Sequence, residues 1–187
     1  MILLFLFFLS GFSGLVYQVS WLRLLALVFG VTVYSATTVL ASFMSGLAIG
    51  SFVADKLMPK IKRPGLWFGI IEMLIGVTAL FTLQAFQFSE RIYMLIQPTL
   101  FSQFILSFIV LLIPTTLMGA SLPLVIKSVR NPSLAYALNT TGAIIGAALT
   151  GFYLIGNVGI QVSFLLAAFI NLFAGVTAIW WTIKSKN

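Results

Sequence analysis

Three carboxylates are the acidic side chains available for chemistry in this sequence: Asp55, Glu72 and Glu90. They are far apart along the chain, and the sequence contains neither histidine nor cysteine. Paired carboxylates, a Cys/His ligand set and a Ser/His/Asp arrangement therefore cannot be assembled. We expect no enzymatic activity of this chain by itself, no cofactor and no metal site.

Glu72 is the one acid that falls inside a long apolar segment. An ionisable group at membrane depth is costly and is a functional candidate by default. One interpretation is a cation or proton site that faces the interior of a helix bundle. The other is a carboxylate that serves helix packing or loop anchoring, bonded to a nearby lysine or backbone group.

Four further polar residues are candidates for function: Gln18, Arg23, Asp55 and Asn139. Arg23 lies near the far end of an apolar segment, so we expect it to snorkel or to pair. Asn139 needs a partner in apolar surroundings, which predicts either an interhelical hydrogen bond or a donor on a cavity wall. For Asp55, an ion pair with Lys56 or Lys60, or a helix cap, is the alternative to substrate binding.

The composition places these residues in a membrane protein. Hydrophobic residues make up 61% of the chain and charged residues 7%, with a mean hydropathy of +1.16, whereas soluble domains are about 25% charged. The charge-free runs 24–54, 92–126 and 131–183 each exceed the ~20 residues that cross a bilayer. The pattern predicts an all-α, polytopic membrane protein.

Turn signals between the apolar segments predict six spans in a single transmembrane domain of residues 1–187. The expected spans are roughly 2–29, 35–53, 66–86, 100–124, 134–155 and 160–183. A loop rich in proline and lysine separates the second and third spans, and a short polar connection, 88–98, separates the third and fourth. Tyr17 and Trp21 are expected at a membrane interface, where amphipathic rings settle.

Small residues recur every four positions on two of these spans. One stripe contains Ser42, Gly46 and Gly50, and the other contains Gly142 and Gly146, with Gly151 on a neighbouring stripe. Because helices in lipid associate by close approach at small residues, these stripes predict helix-packing interfaces. The contact is either within one bundle or with another chain.

Three stretches in order, 9–23, 42–51 and 136–147, resemble the membrane domain of bacterial proteins identified as fused MFS/spermidine synthases. In that family a hydrophobic bundle precedes a soluble aminopropyltransferase-like domain, which these 187 residues lack. Glu72 matches a familiar acidic position of the family, and the position of Gln18 is often Glu there. The resemblance implies a transporter-like or polyamine-handling membrane module.

A second, more distant resemblance concerns the stretch 50–56 and the basic residues that follow it. It is similar to the loop between spans 2 and 3 of major-facilitator transporters, although the usual second glycine is missing. Six spans would correspond to one half of such a transporter, whose spans 2 and 5 lie between the two halves. We therefore expect at least one stripe to lack a partner within the chain, and to form a homodimer or to join other membrane subunits.

Two functional classes follow from these observations. The first is an inner-membrane, transporter-like module that handles a polyamine or another small cation. The second is a non-catalytic structural or accessory subunit of a larger membrane complex. The basic residues lie at helix ends and form no face that follows phosphates, so lipid rather than nucleic acid is the expected partner.

The charge asymmetry of the loops gives a testable topology. Eight basic residues fall on one side of the six-span arrangement: Lys56, Lys60, Lys62, Arg63, Lys127, Arg130, Lys184 and Lys186. Arg23 and Arg91 fall on the other. Because cytoplasmic loops are enriched in Lys and Arg, we expect both termini in the cytoplasm of a bacterium. Reporter fusions after Asn187 and within 87–98 should report opposite sides, and equal reports would contradict six spans.

Overall fold

A computed structural model describes residues 1–96 and 99–184 of the protein. Within the helix that ends at Ile96, the side chains of residues 87 and 89–96 lie outside this description. The expectations for Glu90, Arg91 and Lys186 therefore concern side chains beyond the described set. The described residues form helices and turns and no strand.

Seven α-helices with two short irregular helical segments make up the described chain. The α-helices are α1 Ile2–Phe29, α2 Thr32–Leu57, α3 Pro64–Ile96, α4 Leu100–Ser128, α5 Pro132–Leu149, α6 Ile155–Asn157 and α7 Gly159–Lys184. A 3₁₀ segment, Met58–Lys60, follows α2, and a π-helical segment, Thr150–Leu154, joins α5 to α6. Left-handed backbone at Gly30 ends α1, and a second positive φ at Gly159 starts α7.

Six helical stretches in the described part of the chain are long and apolar enough to cross a membrane. They are Ile2–Phe29, Thr32–Lys60, Pro64–Phe86, Leu100–Ser128, Pro132–Asn157 and Gly159–Lys184. The protein is thus an all-helical, multi-pass membrane protein, as the sequence predicts.

The connection predicted at 88–98 is wrong, because α3 continues as a helix to Ile96. Neither glycine nor proline occurs between residues 88 and 96. Isolated charges do not stop a helix, whereas the residue before a proline is disfavoured in helical conformation. The described helix therefore continues to Ile96.

The helices pack in a definite order around α1. Helix α1 packs against α5, α7 and α2, while α2 packs against α4, and α3 packs against both α4 and α7. Among these helices, α1, α3 and α7 carry the polar side chains that meet in the interior of the bundle.

The stripe on α5 faces α1. A Cβ atom placed at Gly142 would overlap the carbonyl oxygen of Phe8, and one at Gly146 would overlap that of Phe12. Both glycines are buried. Only glycine allows the two backbones to approach this closely.

The stripe on α2 faces α4 in the same way. A Cβ atom at Gly46 would meet Thr115, and one at Gly50 would meet the backbone of Thr116. Ser42 is buried beside them, and its carbonyl oxygen accepts a hydrogen bond from the Thr115 hydroxyl at 3.3 Å.

Both glycine pairs are thus covered by helices of the same chain, and the prediction that one stripe lacks an internal partner is wrong. The helices that cover them are α1 and α4, which periodicity alone does not identify. Association with a second chain stays a prediction, and its contact would have to lie on another face.

Gly151 does not belong to this packing. It is exposed, and no atom lies within 4 Å of a Cβ placed there, apart from its own local backbone. It falls within the π-helical segment, where the wider turn changes the direction in which successive residues point. Gly151 was predicted to lie in a helix-packing interface, but it contacts no other helix of the described chain.

A third close contact, between α3 and α7, was not predicted. A Cβ at Gly69 would lie 2.7 Å from the carbonyl oxygen of Gly175, and one at Gly175 would lie 2.6 Å from that of Gly69. Gly69 lies four residues after Gly65, a spacing that was available in the sequence, whereas Gly175 has no glycine four residues away.

Substitution of a packed and an exposed glycine should separate their roles. Gly146→Leu forces a side chain into the Phe12 backbone, and overpacking of this kind costs about 1–3 kcal/mol or more. Gly151→Leu enters open space and should change the free energy of unfolding by less than about 0.5 kcal/mol. Denaturation of the two purified variants in the same detergent measures the difference, and equal stabilities would contradict the α1–α5 packing.

Candidate functional site

Glu72 is the centre of a polar cluster inside the bundle. Its side chain has no exposed surface, although it belongs to a span-length helix. The Ser10 hydroxyl donates to Oε1 at 2.6 Å, and the Asn171 amide nitrogen donates to Oε2 at 2.5 Å. Each carboxylate oxygen therefore has a donor, and the cluster ties α1, α3 and α7 together.

The cluster lies at membrane depth. Glu72 is eight residues after Pro64, the start of α3, which corresponds to about 12 Å along the helix axis. Since the hydrocarbon core is about 30 Å thick, the carboxylate is well below the interface on that side. Its described hydrogen-bond partners are neutral, so the site offers no ion pair to compensate a charge.

Four buried polar atoms have no hydrogen-bond partner among the described residues. Three belong to fully buried side chains, namely the Tyr17 hydroxyl, the Ser20 hydroxyl and Oδ1 of Asn171, and the fourth is Oε1 of the half-buried Gln103 on α4. Asn171 itself binds Glu72, whereas Tyr17 and Ser20 lie seven and ten residues after Ser10 on α1, which is about 10 and 15 Å along the axis. Because buried polar groups are normally satisfied, these atoms give the interior an unused capacity to bind a polar or charged species.

Tyr17 and Trp21 line the interior rather than a membrane interface, so the interface prediction is wrong. Their rings stack with centroids 5.6 Å apart, and both contact the ring of Phe164. The indole Nε1–H of Trp21 donates to the Thr82 hydroxyl at 2.7 Å. An acceptor on a neighbouring helix therefore supplies what water at the interface would otherwise provide.

An internal cavity of about 340 Å³ adjoins the cluster. Its walls come from α1, α2, α4 and α5, and its polar lining residues are Ser10, Ser51, Ser121, Tyr136, Asn139 and Thr140. The lining includes the last part of α2 and α4 and the start of α5, which is the end of the bundle that carries the basic loops. The cavity therefore lies nearer that end of the bundle, and its mostly apolar lining contains several hydroxyl groups and one amide.

Ser10 connects the cavity with the buried carboxylate. It lines the cavity, it is 8% exposed, and its hydroxyl binds Glu72. Glu72 therefore lies one side chain behind the cavity wall.

Asn139 fulfils both alternatives that the sequence left open. Its amide nitrogen donates to the Phe7 carbonyl oxygen on α1 at 2.9 Å, and its side chain also lines the cavity. The same residue therefore joins α5 to α1 and presents a polar group to the cavity.

The remaining candidates lie outside this site. Arg23 is exposed and thirteen residues beyond Ser10 on α1, which is about 20 Å along the axis. Gln18 is half-buried, and its side chain forms no hydrogen bond with a residue in the described ranges. Asp55 is exposed, and the neighbouring Lys56 ammonium lies over the Phe52 ring, 4.2 Å from its centroid. The expected Asp55–Lys56 pair is absent from the described contacts.

Asn171 is the residue that sequence reasoning missed. It is an amide near the middle of a largely apolar span, and this position is a signal that was available. Its partner could not be inferred, because Glu72 is 99 residues away in the sequence. In residues 1–96 and 99–184, no three His, Cys, Asp or Glu side chains come together to hold a metal ion.

Comparison of the chain with protein-family models, curated proteins and solved structures found no match. The resemblance to the fused MFS/spermidine synthases therefore stays a prediction, and function must be argued from the site itself.

Removal of the Asn171 amide should destabilise the bundle. Asn171→Leu leaves Oε2 of Glu72 buried without a donor, at a cost of about 1–3 kcal/mol in the free energy of unfolding. As a matched control, Asn157→Leu removes an exposed amide that bonds only within its own helical segment. Detergent denaturation followed by tryptophan fluorescence should separate the two variants, and equal stabilities would exclude a structural contribution of the Asn171–Glu72 bond.

Proposed function

We propose that this membrane module is transporter-like and that it binds a small cation, either a proton or an amine such as a polyamine, at Glu72. The observation that carries the proposal is the contact of Ser10 with both the cavity and the buried carboxylate. Through this contact, a cation in the cavity would reach the ionisable carboxylate of Glu72 in the interior of the bundle.

Chemistry favours a cation over other ligands at this site. A carboxylate taken out of water and held by neutral donors is disfavoured as an isolated charge. Binding of a proton or of an ammonium group removes that penalty, whereas an anion would add to it. The unpartnered Oδ1 of Asn171, on the residue that binds Glu72, supplies an acceptor of the kind that an ammonium group requires.

The size of the cavity is consistent with a small solute. Its volume of about 340 Å³ is at the lower end of the ~300–1,000 Å³ of small-molecule sites. Its lining is partly apolar, with Phe7, Leu15, Phe43 and Leu47 among its walls. An amine with a short aliphatic chain would place methylene groups on these walls and its charged end toward Ser10.

A structural or accessory role is the second candidate, and one observation favours it specifically. The Ser10–Glu72–Asn171 hydrogen bonds join three helices, as expected of a cluster whose role is to stabilise the bundle. In that case the protein moves nothing, and it fills or anchors a larger membrane complex.

Glu72→Gln should distinguish these roles. A glutamine can accept from Asn171 with its oxygen and donate to Ser10 with its nitrogen, so it keeps both contacts but cannot ionise. For a transporter-like module we expect the folded yield of the variant to equal that of the wild type. Proton or spermidine flux into proteoliposomes should fall to the level of protein-free liposomes.

The control for that experiment is Glu72→Leu, which removes both the charge and the hydrogen bonds. It should lose folded protein under either interpretation. Equal flux of the Gln variant and the wild type would remove Glu72 from transport. A wild type without flux that co-purifies in a large stoichiometric assembly in mild detergent would favour the structural role.

A further inference from the structure

A second cavity, of about 200 Å³, lies where four helices end on the basic side of the bundle. Its walls come from Leu3 near the start of α1, Gly65 at the start of α3, Ser128 at the end of α4 and Trp181 near the end of α7. Lys62 and Arg63 complete the lining. It is separate from the Glu72 site, with which it shares no lining residue.

The polar half of this cavity is cationic. The Lys62 and Arg63 side chains are exposed, and neither forms an ion pair or side-chain hydrogen bond with a residue that the structure describes. Gly65 is the second residue of α3, where backbone N–H groups have no intrahelical acceptor. Two side-chain charges and the positive end of a helix therefore point to an anion.

The other half of the cavity is apolar. Leu3 is buried, and the half-buried indole ring of Trp181 lies beside it. Trp181 is three residues before the end of α7, a level at which tryptophan settles between hydrocarbon and headgroups. The ligand that fits has an anionic head and an apolar body, and it is present at the membrane boundary.

The loop that carries the two cations is held in place by Lys127. Its ammonium group donates to the carbonyl oxygen of Met58 at 2.5 Å and to that of Ile61 at 3.3 Å. Lys127 thus acts as a positioning residue, since it fixes the backbone immediately before Lys62. The backbone of the loop that carries the two basic side chains is therefore held against α4.

We propose that this cavity binds the headgroup of an anionic phospholipid. The phosphate contacts Lys62 and Arg63, and the glycerol and the first acyl carbons contact Leu3 and Trp181. A free phosphate would use only the cationic half and would leave the apolar half without a function. The proposal is independent of what the Glu72 site binds.

Native mass spectrometry of the detergent-purified protein with added phosphatidylglycerol or phosphatidylcholine tests the proposal. We expect phosphatidylglycerol to be retained in preference to phosphatidylcholine. Because each basic residue near an anionic surface contributes about fivefold in affinity, Lys62→Gln with Arg63→Gln should weaken retention by about thirtyfold. Lys62→Arg with Arg63→Lys keeps both charges and should retain the lipid.

The matched control is Lys60→Gln with Lys184→Gln, which removes the same charge from the same end without touching the cavity. This control should retain phosphatidylglycerol as the wild type does. Equal losses in the two Gln pairs would mean diffuse attraction and would overturn the proposal. Equal retention of the two lipids would overturn it too. The proposal would also fail if inorganic phosphate displaced the lipid as effectively as glycerol phosphate does, because the site would then recognise a free phosphate. Tryptophan-fluorescence melting verifies that each variant is folded.

Discussion

Close backbone contact at glycine is the interaction on which this bundle depends. Apolar side chains gain little by leaving lipid for one another, so helices in a membrane associate through van der Waals packing and interhelical hydrogen bonds. The structure has such contacts at Gly142 and Gly146 against α1, at Gly46 and Gly50 against α4, and between Gly69 and Gly175. The Gly69–Gly175 contact brings α3 and α7 together, and Asn171 on α7 meets Glu72 on α3 within the same helix pair. Ser10 reaches Glu72 from α1.

The sequence was sufficient for the helices and insufficient for their pairing. Long apolar runs bounded by Gly30, the proline-rich loop and Gly159 give the spans, because membrane thickness fixes the length of a crossing helix. The same periodicity that locates Gly142 and Gly146 on one face does not say which helix covers that face. For this reason the expectation of an unpartnered stripe was wrong, although Gly46 and Gly142 do lie in tight helix contacts.

The candidate site was predictable in part for a similar reason. Glu72 was evident from its charge within an apolar segment, and Asn139 from its amide. The error at Tyr17 and Trp21 arose because an amphipathic ring suits either an interface or an interior that contains an acceptor. The presence of Thr82 beside Trp21, and of Asn171 beside Glu72, depends on tertiary contacts between residues more than sixty positions apart.

The buried polar atoms without hydrogen-bond partners help to choose between the two candidate functions. If Glu72 served only to hold the helices together, the donors of Ser10 and Asn171 would be sufficient, because both carboxylate oxygens are then hydrogen-bonded. The interior nevertheless holds the Tyr17 and Ser20 hydroxyls and Oδ1 of Asn171 without partners among the described residues. Each such group costs about 1–3 kcal/mol when buried, and apolar residues of similar size would avoid that cost. A hydrogen-bonding cation at Glu72 would use the unpaired oxygen of Asn171, whereas a purely structural role of the cluster leaves that oxygen without a partner.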